Sequence, residues 1–138
     1  MTALPLAHDV EPRDKLQAVG RGLLGRCPAC GEGAMFRAYL KVADHCPVCG
    51  EDLHHQRADD APPYVTMFIV AHVIVTLILS AEAFWPEAPF WLEATGFCLA
   101  AGLLSLVLLP RVKGALVGWQ WSLRMHGFGA AAHRPEAF

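Results

Sequence analysis

Two long apolar runs dominate the second half of the chain. Tyr64 to Ala81 carries no charged residue and includes Val65, Met67, Phe68, Ile69, Val70, Val73, Ile74, Val75, Leu77, Ile78 and Leu79. Ala94 to Pro110 is a second uncharged run, extended upstream by Phe90, Trp91 and Leu92 around Glu93. Each meets the length of a transmembrane helix, about 17–25 residues. Both are apolar on all sides, which suits a large core or lipid, and the chain offers no amphipathic partner helices to cover them. The connector Glu82–Pro89 is too short to fold by itself, so an antiparallel hairpin is expected, with Trp85 and Trp91 at headgroup level. Beyond Pro110, the stretch Arg111–His126 is apolar on one side and basic at its ends, and carries two tryptophans. It reads as an interfacial helix on the inner leaflet, in preference to a surface helix packed on the first half.

The first half has a different grammar. Residues 1–20 are polar and proline-containing, and read as a flexible arm or a short surface helix around Asp14–Val19. Residues 21–53 hold two cysteine pairs, and between them Met35–Val42 alternates imperfectly between apolar and basic positions, as a short hairpin does. Residues 54–63 form an acidic, histidine-bearing linker closed by Pro62 and Pro63. The expected organisation is therefore an arm over 1–20, a ribbon over 21–53 and a linker over 54–63. A first transmembrane helix over 64–85, a periplasmic turn over 86–90 and a second transmembrane helix over 91–110 follow. Residues 111–138 complete the chain as a cytoplasmic interfacial helix and tail.

Composition and charge refine this picture. Hydrophobic residues make up 54% of the 138-residue chain and charged residues 17%, against roughly 45–50% and 25% in soluble domains. The net charge of -2 gives no basic face for nucleic acid, and none is expected as a partner. Met1–Lys15 lacks the basic and apolar regions of a cleavable signal peptide, so insertion is expected to use an internal segment. Arg13, Lys15, Arg21, Arg26, Arg37, Lys41 and Arg57 precede Tyr64, and Arg111, Lys113, Arg124 and Arg134 follow Pro110. The connector region has only Glu82, Glu87 and Glu93. The positive-inside rule then puts both termini in the cytoplasm of a bacterial inner-membrane, multi-pass protein.

The strongest motif is a repeated C-P-x-C-G: Cys27-Pro28-Ala29-Cys30-Gly31 and Cys46-Pro47-Val48-Cys49-Gly50, separated by fifteen residues between Cys30 and Cys46. This spacing is that of a zinc site. Two residues between cysteines allow one tight turn to aim both sulfurs at one ion, and the following glycine permits a positive φ. Four thiolates close a tetrahedral shell, as in structural zinc, and leave no open position for catalysis. Arg26, Arg37 and Lys41 are near in sequence and can offset the negative cluster. So short a segment cannot bury enough apolar surface to fold alone, so metal is expected to supply the folding energy. Iron uses similar turns; a redox CxxC normally sits on a βαβ scaffold that is not apparent here.

Other side chains are weaker candidates. His54, His55, Asp59 and Asp60 form a group able to bind a transition metal, or a solvated linker in which an aspartate caps the next helix. His72 lies inside the first apolar run. Ionisable residues there are uncommon and often functional, but a neutral His facing Ser105 or a backbone carbonyl of the second helix is the favoured reading. Cys98 reads as a packing residue, and the small pairs Gly96/Ala100 and Ala101/Ser105 as candidate helix contacts. No nucleophile–base pair, phosphate loop or acidic dyad stands out, so no enzyme is expected.

Together, the paired knuckles, Phe36–Lys41, Ala58–Tyr64, Ala71-His72, Leu109–Gly114, Gln120-Trp121 and His126-Gly127-Phe128 resemble a bacterial membrane family catalogued as domain of unknown function 983. The likeness covers residues 20–128 and departs from the family pattern at Ala71, where a glycine precedes the histidine. In alphaproteobacteria, members of that family are often encoded among cytochrome c oxidase structural and assembly genes. The resemblance therefore implies an accessory or assembly role beside a respiratory oxidase, with the lipid bilayer and an oxidase subunit or assembly factor as partners. The alternative is metal delivery or sensing through His54, His55, Asp59 and Asp60. A membrane-bound transcription adaptor is disfavoured by the few, mixed charges near the ribbon.

Overall fold

A computed structural model of the chain describes residues 12–55 and 60–128. Its elements run α1 (Lys15–Leu23), β1 (Phe36–Ala38), β2 (Lys41–Val42), α2 (Ala61–Phe84) and α3 (Phe90–Ser122), followed by a 3-10 turn at Met125–Gly127. Asp14 starts α1 by accepting the Leu16 and Gln17 amides at 2.9 and 3.2 Å, satisfying two of the donors a helix start leaves open. Strands β1 and β2 form a small antiparallel hairpin whose turn is Tyr39-Leu40, with Leu40 at φ 60°.

Helix α2 begins at Ala61, three residues before the expected Tyr64, because Pro62 and Pro63 fit a first helical turn whose amides need no partner. Helices α2 and α3 are both long and apolar enough to cross a membrane. The helix core of a soluble protein would be covered, whereas only 11% of the apolar window of α2 and none of that of α3 is buried. Phe68, Leu79, Leu99, Leu103 and Leu106 are exposed.

The expected end of the second apolar helix at Pro110 is not an end. Helix α3 continues unbroken for 33 residues to Ser122. Proline lacks the N–H that would bond the carbonyl four residues earlier, here Leu106. The Tyr39 hydroxyl donates to that carbonyl at 2.8 Å, so the ribbon hairpin supplies the bond that proline removes. Lys113 Nζ donates to Leu40 O at 2.6 Å one turn further on. Tyr39→Phe should therefore leave Leu106 O unpaired and destabilise this junction by about 1 kcal/mol. Amide exchange of residues 36–42 in detergent should speed up accordingly, while the metal content of the four-cysteine site stays unchanged.

Residues 111–122 consequently do not form a separate helix lying on the leaflet. Their buried face, Val112, Gly114, Val117, Gly118, Trp121 and Ser122, packs on α1 and the ribbon. Ala18 and Gly22 of α1 meet Gly118 and Gly114 of α3, backbone against backbone, with the helices running in opposite directions. A Cβ on Gly22 would overlap the Gly114 carbonyl, and one on Gly118 would overlap the Ala18 carbonyl. The expected small-residue contacts fare differently: nothing lies within 4 Å of a Cβ on Gly96, whereas Ala101 and Ser105 line the α2–α3 groove with Pro63, Thr66, Val70 and Leu109. One core holds the pieces together: Ala18, Cys27, Met35, Cys46, Leu53, Val117, Trp121 and Phe128. Helix α1, which spans the expected boundary between arm and ribbon, and residues 111–128, within the expected tail, are thus structural parts of the ribbon's platform.

Candidate metal centre

The two knuckles repeat one local construction. Gly31 N donates to Cys27 O at 2.8 Å and Gly50 N to Cys46 O at 3.0 Å. Gly31 and Gly50 have φ of 72° and 76°, the left-handed conformation that glycine adopts without a Cβ penalty. Cys27 N donates to Gly33 O and Cys46 N to Glu51 O, closing each loop behind its turn. These bonds turn all four cysteine side chains toward one point.

There, Cys27 Sγ lies 3.7 Å from Cys49 Sγ, and Cys30 Sγ 3.7 Å from Cys46 Sγ. All four sulfurs lie within 4.8 Å of one another. A tetrahedral ion with metal–sulfur bonds of about 2.3 Å has sulfur–sulfur edges of about 3.8 Å, so the four cysteines fit a closed tetrahedral metal site. The Gly33 and Glu32 amides point at Cys30 Sγ at 3.4 and 3.5 Å and hold that thiol down to about 6. Burial pushes the fully buried Cys27 thiol well above its usual value. Metal entry must therefore expel a proton from Cys27 near neutrality, whereas Cys30 is already a thiolate above about 6. Metal affinity should accordingly rise with pH, about tenfold per pH unit for each proton displaced, and more steeply once the pH falls below the Cys30 value. Chelator competition at about pH 6 and about pH 8 checks this sign.

Among the described residues, Arg21 is the cation whose side chain bonds to the first knuckle. Arg21 Nη1 donates to Pro28 O at 3.1 Å and Ala29 O at 2.9 Å. Gly31 makes room for it, since a Cβ there would lie 2.7 Å from Arg21 Nε. The second knuckle is tied to the end of α3: Trp121 Nε1 donates to Glu51 Oε1 at 2.9 Å. The Arg13 guanidinium lies 4.0 Å over the Trp121 ring and donates to Trp121 O and Phe128 O. Both cysteine pairs are thus seated on helices, Cys27 and Cys30 through α1, Cys46 and Cys49 through α3.

The remaining candidates separate. The His54 and His55 rings lie 3.9 Å apart between centroids, tilted by 40°; His54 is beside His45 and Asp52, and His55 is against Phe128. Asp60 sits at the start of α2, exposed and without a side-chain cap bond, and Asp59 lies outside the described residues. His45 Nδ1 is 2.5 Å from Asp52 Oδ1, and donor atoms of His45, Asp52 and His54 all fall within 4.8 Å of one another. His45 was missed because nothing local marks it; the signal was its position directly before Cys46, across a bridge from Asp52. His72 does not face Ser105. It is exposed, with Nδ1 2.8 Å from Phe68 O one turn back in the same helix. Thr76 and Ser80 likewise bond to the carbonyls of His72 and Thr76, so this polar stripe is satisfied within α2. Cys98 is exposed on α3.

No curated protein and no solved structure matches the chain. The family described as "Protein of unknown function (DUF983)" matches residues 36–121, which take in the ribbon hairpin, the second knuckle and both long helices, with the first knuckle immediately upstream. Because that match spans more than half of the sequence, the chain belongs to the DUF983 family.

Proposed function

We propose that the protein is a non-catalytic integral membrane protein in which a structural zinc ribbon is fixed to the cytoplasmic end of a transmembrane hairpin. It serves as an accessory or assembly factor for a respiratory membrane complex. Zinc suits four thiolates in a closed tetrahedron, and such a shell leaves no position for substrate. The observation that carries the reading is the continuity of α3 through Pro110. Thirty-three residues make a helix of about 50 Å at 1.5 Å per residue, while the hydrocarbon core of a bilayer is about 30 Å thick. The excess at the C-terminal end is the part onto which α1 and the ribbon pack. The ribbon is therefore held rigidly where the helix leaves the membrane, and the apolar faces of α2 and α3 stay uncovered for lipid and client helices. Every Lys and Arg of the described residues sits on the ribbon side of the hairpin, consistent with a cytoplasmic ribbon.

The choice of client, cytochrome c oxidase, rests on the gene context that the family resemblance implies. A deletion strain should show reduced oxidase level, haem content and activity, restored by the wild-type gene. Normal values of all three would overturn the oxidase assignment. Affinity purification of the full chain in mild detergent should co-isolate an oxidase subunit or assembly factor. A reporter fused after Phe138 that is active only in the periplasm would overturn the orientation.

A further inference from the structure

We propose a second, open divalent-cation site on the outer edge of the ribbon, formed by His45, Asp52 and His54. The backbone builds it. An isolated antiparallel bridge sets His45 opposite Asp52, and Leu53 N donates to Asp44 O at 2.8 Å beside it. Leu53 is fully buried in the common core. In extended chain, alternate residues point to opposite sides, so burying Leu53 turns Asp52 and His54 outward together, next to His45. Their donor atoms come within 4.8 Å of one another.

His54 is held by its neighbours. Its ring packs against His55, tilted by 40° at 3.9 Å between centroids, and the His55 and Phe128 rings meet in a T-shaped contact at 5.8 Å. Phe128 is buried in the common core. Gly127 leaves room for the His55 ring, since a Cβ there would lie 2.8 Å from His55 Nδ1. The cluster is thus braced from the same core that seats the cysteines, rather than hanging from a free linker.

Two imidazoles and one carboxylate select a transition ion such as Zn²⁺, Co²⁺ or Ni²⁺ over Mg²⁺ or Ca²⁺, which prefer all-oxygen shells. The His45 and Asp52 side chains are 63% and 52% exposed. An ion seated between them replaces their hydrogen bond, keeps water in its remaining positions and exchanges readily, unlike an ion closed inside four thiolates. The ribbon then carries two sites of opposite character, a closed thiolate site and an open imidazole–carboxylate site, joined through the adjacent residues His45 and Cys46. This site is independent of which membrane complex is the client.

The test is a Co²⁺ titration of the metal-free full chain in detergent, followed by optical absorption and equilibrium dialysis. The first equivalent should bring the thiolate-to-metal charge-transfer bands of the four-cysteine site. A second, weaker equivalent should bind without them. His54→Gln and Asp52→Asn should each weaken the second equivalent by about tenfold or more and leave the charge-transfer bands unchanged. A wild-type chain that takes up one equivalent only, or a second equivalent that persists unchanged in both variants, would overturn the proposal. Neither variant touches the buried side of the bridge, so the intact charge-transfer bands report that the ribbon remains folded.

Discussion

Cys46→Ser is expected to empty the four-cysteine site and unravel the ribbon while leaving the two long helices in place. Cys46 is 3% exposed and belongs to the same core as Met35, Leu53 and Val117. Its sulfur packs against Gly33, where even a Cβ would collide with it. Serine offers a poor ligand and leaves three thiolates around an incomplete shell. Structural zinc supplies on the order of 10 kcal/mol in small zinc domains, far more than the short β1–β2 hairpin can replace. Metal content should fall from the expected one ion per chain to nearly none. Proteolysis should then cut within residues 27–53 faster than in the wild-type protein. Helices α2 and α3 make their own backbone bonds and are expected to survive, so total helicity should change little. Prolonged chelation of the wild-type protein should produce the same pattern, and restored zinc should reverse it.

Gly114→Val is expected to lift α1 off α3 without disturbing the α2–α3 hairpin. The substituted Cβ would run into the Gly22 carbonyl, and two helix backbones have no flexible end that can move aside. Overpacking a core typically costs about 1–3 kcal/mol, and a clash against backbone lies at the upper end of that range. Separation would also break the Arg21 bonds to Pro28 O and Ala29 O and the Arg13 contact with Trp121, since both arginines travel with α1. Amide exchange across Lys15–Leu23 should rise by about tenfold or more, and the first knuckle should lose metal faster than in the wild type. Gly102→Ala is the matched control. Nothing lies within 4 Å of a Cβ there, and alanine in place of a mid-helix glycine should stabilise α3 slightly, by about 1 kcal/mol. If the two substitutions behave alike, close backbone packing is not what holds α1.

The parts that could be read from sequence were those fixed by local chemistry. Cys27, Cys30, Cys46 and Cys49 announce their geometry because each C-P-x-C-G turn is built from consecutive residues. The apolar stretches of α2 and α3 are equally legible, since length and uniform hydropathy need no tertiary information. The misread parts depend on partners distant in sequence. Pro110 looks like a helix end until Tyr39 is seen bonding the Leu106 carbonyl. Gly114 and Gly118 look like ordinary glycines in a sequence rich in small residues until Ala18 and Gly22 lie against them. His45 joins Asp52 and His54 only through the bridge closing the second knuckle. His72 turned to its own helix because the Phe68 carbonyl one turn back is always within reach, whereas Ser105 already donates to Ala101 O.

The central claim is a closed four-thiolate zinc site seated on the extension of a membrane helix. It is tested most directly by X-ray absorption at the zinc edge on full-length protein in detergent, washed free of loosely held metal. One zinc per chain, surrounded by four sulfurs at about 2.3 Å with no nitrogen or oxygen neighbour, is the predicted result. A preparation that contains iron in place of zinc, or zinc with fewer than four sulfur neighbours, would contradict it.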